Sequence, residues 1–205
     1  MRHAASRTLF AYWDGLRAGG IAPDRAEIEP RGIAGILGDT FILESDRLGV
    51  VPYRLAGSRV CAIFGQEMKG QSFLGHFAGQ DRAKVAQGLA DANAAPTGLL
   101  IAAEGVSAAG ETVPLELVIL PLAHRGRIGA RMIGVVSSAE TPYWVGRDEI
   151  TELRLVHIKL IWPNWQNNRP VVEPRAAVAH AAPSPIAALF PSRPSLRVIE
   201  GGRTA

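Results

Sequence analysis

Cys61 and five histidines are the residues of this chain that could ligate a metal or act as nucleophiles. Neither the spacing among the histidines nor their spacing to Cys61 matches a metal-ligand motif, so no metal site is predicted. The histidines are His3, His76, His124, His157 and His180. The chain also contains no G-x-S-x-G elbow, Walker-type phosphate loop, H-E-x-x-H motif or dinucleotide fingerprint after a strand. We therefore expect a protein that is not an enzyme.

Two arginines, Arg54 and Arg59, flank a Leu-Ala-Gly-Ser turn. A guanidinium can hold a carboxylate or a phosphate through two parallel hydrogen bonds, and Arg59 stands at the start of a short predicted helix. Arg59 is therefore a candidate ligand-binding residue. The favoured interpretation is a structural ion pair with Glu44 or Glu116 on neighbouring strands, but the sequence leaves both alternatives open.

Composition indicates a folded domain, because 47% of the 205 residues are hydrophobic and 20% are charged. The net charge of +3 comes from the segment after residue 174, which has four arginines and one glutamate. The preceding residues are neutral overall. A basic face on the folded part does not follow from this count, and nucleic-acid binding is disfavoured.

The single cysteine, Cys61, cannot form an intramolecular disulfide, which fits a reducing compartment. The first residues are not followed by the apolar region of a secretory signal, and no apolar run reaches the roughly 18 residues that span a bilayer. We expect a cytoplasmic protein that does not cross a membrane.

The first part of the chain, residues 1–37, is predicted to be a helical segment. Leu9, Trp13 and Leu16 recur at helical spacing within residues 8–18, and two glycines end the pattern. This spacing predicts an N-terminal amphipathic helix. A second, short helix is expected over residues 33–37.

The middle part, residues 38–165, is predicted to be one α+β domain. Five strand-like runs are expected to form an antiparallel sheet, and they cover residues 40–44, 50–57, 98–107, 112–123 and 130–138. Helices are expected between the second and third runs, one from Ser58 to Phe64 with Gly65 as its cap and one over residues 80–94. Residues 151–162 fit either a strand or a helix, and a strand is favoured.

One predicted strand, Leu-Glu-Leu-Val-Ile-Leu-Pro-Leu at residues 115–122, has no clean alternation of apolar and polar residues. It should therefore be covered on both faces. Helices on one face leave the other to the N-terminal helix or to a second subunit.

The last part, residues 166–205, is predicted to be a flexible tail. From residue 171 onward, five prolines stand among alanines, serines and arginines. Two apolar islands, at residues 186–190 and 196–199, are either docking motifs or parts of a solvated tail. The solvated tail is favoured.

The run Y-R-L-A-G-S-R-V-C-A-I-F-G-Q-E-M-K-G at residues 53–70, together with residues 41–44 and 115–122, resembles a single-domain PAS family of alphaproteobacteria. The resemblance covers residues 9–162. It implies a PAS fold, with a five-stranded antiparallel sheet, helices on one face and a homodimer formed through the N-terminal helix. Leu9, Trp13 and Leu16 would then be the dimer or partner contacts.

The PAS fold implies a ligand cavity between the inner sheet face and the helices. The candidate lining residues are Phe64, Phe73, Phe77, Leu117 and Ile119, with Arg59 nearby. Apolar side chains dominate small-molecule pockets. The favoured interpretation of these five residues is nevertheless that they are plain core.

The two familiar PAS cofactors are both disfavoured. A flavin photoreceptor would need its cysteine in an Asn-Cys-Arg-Phe-Leu setting, whereas Cys61 lies between Val60 and Ala62. Haem would have only His76 as a candidate ligand. The cofactor, if any, is unknown.

The resemblance implies a regulatory role in bacterial signalling, and one relative is associated with motility and cell-cycle control. The favoured hypothesis is an adaptor that contacts a signalling partner, because no kinase, cyclase or DNA-binding domain is attached. The alternative is a small-molecule receptor whose occupancy is the signal. Nucleic-acid binding through the tail comes third.

Overall fold

The computed structural model of the protein describes residues 1–45 and 50–163. The predicted tail at residues 166–205, with its two apolar islands, lies outside the described residues. So does most of the predicted polar turn between the first two strands.

Within residues 1–45 and 50–163, three α-helices and three 3-10 segments precede or interrupt the sheet. The α-helices are α1 (Ala4–Leu16), α2 (Ser58–Phe64) and α3 (Gly79–Ala94), and the 3-10 segments are Arg25–Glu27, Pro30–Asp39 and Leu74–His76. α2 ends at Gly65, whose φ of +70° is the left-handed conformation that glycine adopts without strain. None of the helices in the described part of the chain is both long and apolar enough to cross a membrane.

In the part of the chain that the structure describes, six strands form one antiparallel sheet in the order β2-β1-β5-β4-β3-β6. They are β1 (Thr40–Glu44), β2 (Tyr53–Ala56), β3 (Gly98–Ser107), β4 (Thr112–His124), β5 (Arg127–Ser137) and β6 (Ile150–Ile161). The five predicted strands are all present, and the ambiguous segment forms the sixth. β6 pairs with β3 along its whole length.

The sheet is covered on both faces. Leu117 and Ile119 of β4 belong to the inner core, which α2 and α3 complete, whereas Val118 and Leu120 belong to an outer core with α1 and the Pro30–Asp39 segment. This explains why the apolar run in β4 does not alternate with polar residues. The outer face is therefore covered by the chain's own N-terminal helix.

Candidate functional site

The predicted ligand-binding aromatics come together in the inner core. Phe64, Phe73 and Phe77 are completely buried and pack with Phe41 and Tyr53. The ring centroids are 5.6 Å apart for Phe73 and Phe77, 5.8 Å for Tyr53 and Phe73, and 6.5 Å for Tyr53 and Phe64. These rings fill the space between the sheet and the helices.

The two apolar candidates from β4 lie in the same cluster. Leu117 and Ile119 are 0% and 1% exposed. None of four cavities on the surface of the described residues is lined by the predicted apolar residues. The packing is that of a core, and a ligand-binding role for these residues stays a prediction.

Two polar atoms inside this apolar cluster lack hydrogen-bond partners. They are Tyr53 Oη and His76 Nε2, and neither has a partner within the part of the chain that the structure describes. Burial raises the pKa of Tyr53 far above its usual value and lowers the pKa of His76, so both side chains are neutral at pH 7. The His76 ring lies 5.1 Å from the Phe64 ring and 6.2 Å from the Tyr53 ring.

Arg59 does not join the aromatic cluster but lies at the surface in a two-point ion pair. Its Nε and Nη2 donate to the carboxylate of Asp39 at 2.5 and 2.7 Å, and Nη2 also reaches the Gly35 carbonyl at 3.2 Å. The partner is thus neither of the two predicted glutamates. Asp39 immediately precedes β1, where no sequence pattern marks it as a neighbour of α2. Glu44 pairs instead with Arg54, at 3.2 Å.

Arg59 lines a cavity of about 400 Å³ where α1 and α2 approach each other, the helix-junction cavity. Its wall includes the first residues of α1, the outer side of α2 and the end of β5. Six of its lining residues are His3, Ala4, Asp39, Arg59, Ala62 and Ser137. The cavity is the only one of the four that touches both helices, so an occupant would contact the two sides of the sheet together.

The predicted dimer contacts pack within the same chain, between α1 and the sheet. Leu9 and Trp13 are fully buried in the outer core, whereas Leu16 is half-buried. Leu9 and Trp13 are therefore unavailable to a second subunit while α1 lies on this sheet. Their role as dimer contacts stays a prediction that requires α1 to move.

The carboxylate of Glu116, on β4, binds the backbone just before α1 begins, a role that was not predicted. Its carboxylate accepts hydrogen bonds from the backbone N–H groups of Arg2 at 2.8 Å and His3 at 3.2 Å. These groups would otherwise be unpaired at the helix start, and α1 begins four residues earlier than expected. One signal was available, because a glutamate within an apolar strand needs buried donors.

The environment of Glu116 stabilises its charged form. The residue is only 7% exposed, and burial by itself would raise the pKa of its carboxyl. The backbone N–H of Arg2, the nearby Ser6 hydroxyl, the backbone N–H of His3 and the charge of the N-terminus together outweigh that effect, and the net pKa is lowered. Glu116 is therefore a carboxylate at neutral pH.

No three His, Cys, Asp or Glu side chains converge on a possible metal position in residues 1–45 and 50–163. Cys61 is partly exposed, and its sulfur lies 3.7 Å from a carboxylate oxygen of Glu67. The described residues thus offer no ligand set for a metal ion.

A family model described as a PAS domain matches residues 1–137. A search among curated proteins finds no match. Among solved structures, the chain is similar to a LOV protein of Rhodobacter sphaeroides, at 15% identity and a TM-score of 0.42, covering 57% of this chain and 71% of that one. A variant of RsLOV gives 15% identity and a TM-score of 0.41, covering 71% and 74%. With scores this low, family membership rests on the sequence match.

Proposed function

We propose that this chain, which belongs to the PAS domain family, is a sensory and regulatory module that passes its signal on by contact with another protein. The observation that carries the proposal is the filled inner core. Phe64, Phe73 and Phe77 occupy the space where a ligand would sit, and each is completely buried. The surface is then the part of the domain that remains to receive or send a signal.

The helix-junction cavity supports a contact at α1 and α2. Its wall contains an exposed ion pair, Arg59 with Asp39, beside the exposed Ala62 and the half-buried Ile63. Apolar groups next to a charged pair are typical of protein interfaces with a desolvated centre and a polar rim. A partner that binds here would bias the position of α1 relative to α2.

Site-specific photocrosslinking in living cells tests this proposal. A photoreactive residue replaces Ala62 in the cavity wall or, as the matched control, Ala90, which is also an exposed alanine on a helix but lines none of the four cavities. We expect an adduct with a defined second protein from position 62 and none from position 90. Equal adducts from both positions, or none from either, would overturn the proposed contact.

The alternative is a small-molecule receptor, and one observation favours it. Tyr53 Oη and His76 Nε2 are buried without partners, and a small polar ligand or a water molecule would satisfy them. Denaturation of the purified protein followed by mass spectrometry of the released small molecules tests this alternative. A stoichiometric compound that is lost in Tyr53→Phe would establish the receptor, whereas its absence would favour protein contact.

Finer aspects of the proposal rest on the resemblance of residues 53–70 and on the single cysteine. They are a place in alphaproteobacterial signalling, with motility or cell-cycle control as the regulated process, a cytoplasmic location and no enzymatic activity.

A homodimer through α1 is also proposed, with the half-buried Leu16 as its most accessible predicted contact. Light scattering of the full chain during size-exclusion chromatography should give twice the monomer mass, and a monomer at all concentrations would refute the dimer.

A further inference from the structure

A cluster of positive side chains surrounds two adjoining cavities where β1 and β2 meet the β4–β5 turn. The cavities have volumes of about 270 and 390 Å³ and share Arg54 and Arg131 in their walls. Arg25 and Lys69 line the first, and His124, Arg125 and Arg127 line the second. We name these seven residues the β4–β5 arginine site.

The positive charge of this site is only partly balanced. Glu44 is the single carboxylate among the described lining residues, and it lies 3.2 Å from Arg54 and 3.3 Å from Arg131. The other four Arg and Lys side chains form no ion pair with a described residue. A charge count over residues 1–174, which sums to zero, does not reveal this local cluster.

Arg131 lines both cavities and lies largely below the surface. Its side chain is only 18% exposed, and its Nε is buried with no partner in the described part of the chain. A buried N–H donor without an acceptor destabilises the folded state, and an acceptor atom that bonds to it removes that penalty. Arg131 thus has the free hydrogen-bonding capacity that an oxyanion would use.

The turn that carries Arg125 and Arg127 has a defined conformation. Arg125 and Gly126 have φ values of +51° and +74°, and they connect the paired residues His124 and Arg127. Two consecutive residues with positive φ are the mark of a tight two-residue hairpin. The turn therefore holds these arginines in place beside the second cavity.

We propose that the β4–β5 arginine site binds a small organic molecule that carries at least two phosphate groups. Guanidinium groups match the geometry of phosphate oxygens with two parallel hydrogen bonds. Arg54 and Arg131 border both cavities, and further positive side chains border each one, so two neighbouring phosphates can be held side by side. The concave shape fits a compact ligand, and the lining residues include no Phe, Tyr or Trp on which bases of single-stranded nucleic acid would stack.

Isothermal titration calorimetry of the full chain tests the proposal, with inorganic tripolyphosphate as the probe and inorganic phosphate and citrate for comparison. We expect saturable binding of tripolyphosphate that weakens as salt rises, with weaker binding of both comparison anions. Arg54→Ala combined with Arg127→Ala should weaken binding by roughly tenfold or more, since even one lost charge-assisted contact is worth about that factor.

Arg154→Ala is the matched control. Arg154 is as exposed as Arg54, also lies on an edge strand and also pairs with a glutamate, but it is outside both cavities. Its loss should leave tripolyphosphate affinity unchanged, and thermal unfolding verifies that all variants remain folded. Absence of saturable binding, equal weakening by the control, or tighter binding of a polyglutamate peptide or of single-stranded DNA would overturn the proposal.

Discussion

The indole Nε1 of Trp13 donates a hydrogen bond of 2.7 Å to the carbonyl oxygen of Pro121. Trp13 lies in α1 and is fully buried, and Pro121 belongs to the central strand β4. The bond satisfies two polar groups within an otherwise apolar contact. α1 is therefore an integral layer of the domain, and a displacement of α1 must break its contacts with β4.

Trp13→Phe should destabilise the domain by about 1–3 kcal/mol, because it keeps an aromatic ring but leaves the Pro121 carbonyl without its donor. Urea unfolding of the wild type and the variants measures the free energy of unfolding. Tyr143→Phe is the control, since Tyr143 is 77% exposed and its hydroxyl bonds Glu111 in solvent. An equally small effect of both variants would contradict the structural importance of the Trp13 bond.

Glu116→Gln should weaken the attachment of α1 by about 1–3 kcal/mol at neutral pH, since the carboxylate accepts two backbone hydrogen bonds. The pKa of Glu116 is lowered in the folded state. Its stabilising effect is therefore complete above the pKa of the unfolded chain and declines as pH falls through the lower, folded pKa. The difference between wild type and variant should thus shrink in acid.

Urea unfolding of both proteins from pH 7 to pH 3 measures that difference. Glu104→Gln is the matched control, because Glu104 is exposed on the adjacent strand β3 and accepts no described side-chain hydrogen bond. A difference for Glu116→Gln that stays constant through the acid range would contradict the assigned role.

His76 should make the domain less stable below neutral pH. Burial lowers the pKa of its imidazole, so the unfolded chain binds a proton at a pH where the folded chain does not. Stability should fall as pH drops below the unfolded value of about 6.5 and should level off below the folded pKa. His76→Phe should reduce this slope, and a slope equal to that of the wild type would count against the buried, neutral state of the His76 imidazole.

Phe73→Ala should cost about 3–5 kcal/mol, because it opens a cavity among rings that now contact one another. Leu55→Ala, at a 52% exposed position, should cost less than about 1 kcal/mol. Thermal and urea unfolding measure both. A nearly neutral Phe73→Ala would show that the inner core is loosely packed, and the receptor alternative would then gain support.

The sheet was predictable because its patterns are local. Runs of apolar and β-branched residues gave five strands in the right places, and Gly65 marked the end of α2. Residues 151–162 were ambiguous, because Leu153 and Leu155 fit period two while Leu153, Val156 and Leu160 fit a helix. Pairing with β3 decides in favour of a strand, and such long-range pairing is not visible in one segment.

The sites were less predictable because they combine distant segments. Arg59 meets Asp39, and Glu116 meets the start of α1, across separations of 20 and more than 110 residues. The β4–β5 arginine site draws on four separate stretches of the chain, while the charges of residues 1–174 sum to zero. A net charge does not reveal how charges cluster after folding.

Native mass spectrometry of the full chain isolated from its own cells distinguishes signalling by protein contact from the receptor alternative. We expect a complex of the chain with a second, different protein, and no bound small molecule whose retention depends on Tyr53 in the inner core. A chain without a protein partner that carries a stoichiometric small molecule through purification, and loses it in Tyr53→Phe, would contradict the claim and establish the receptor instead.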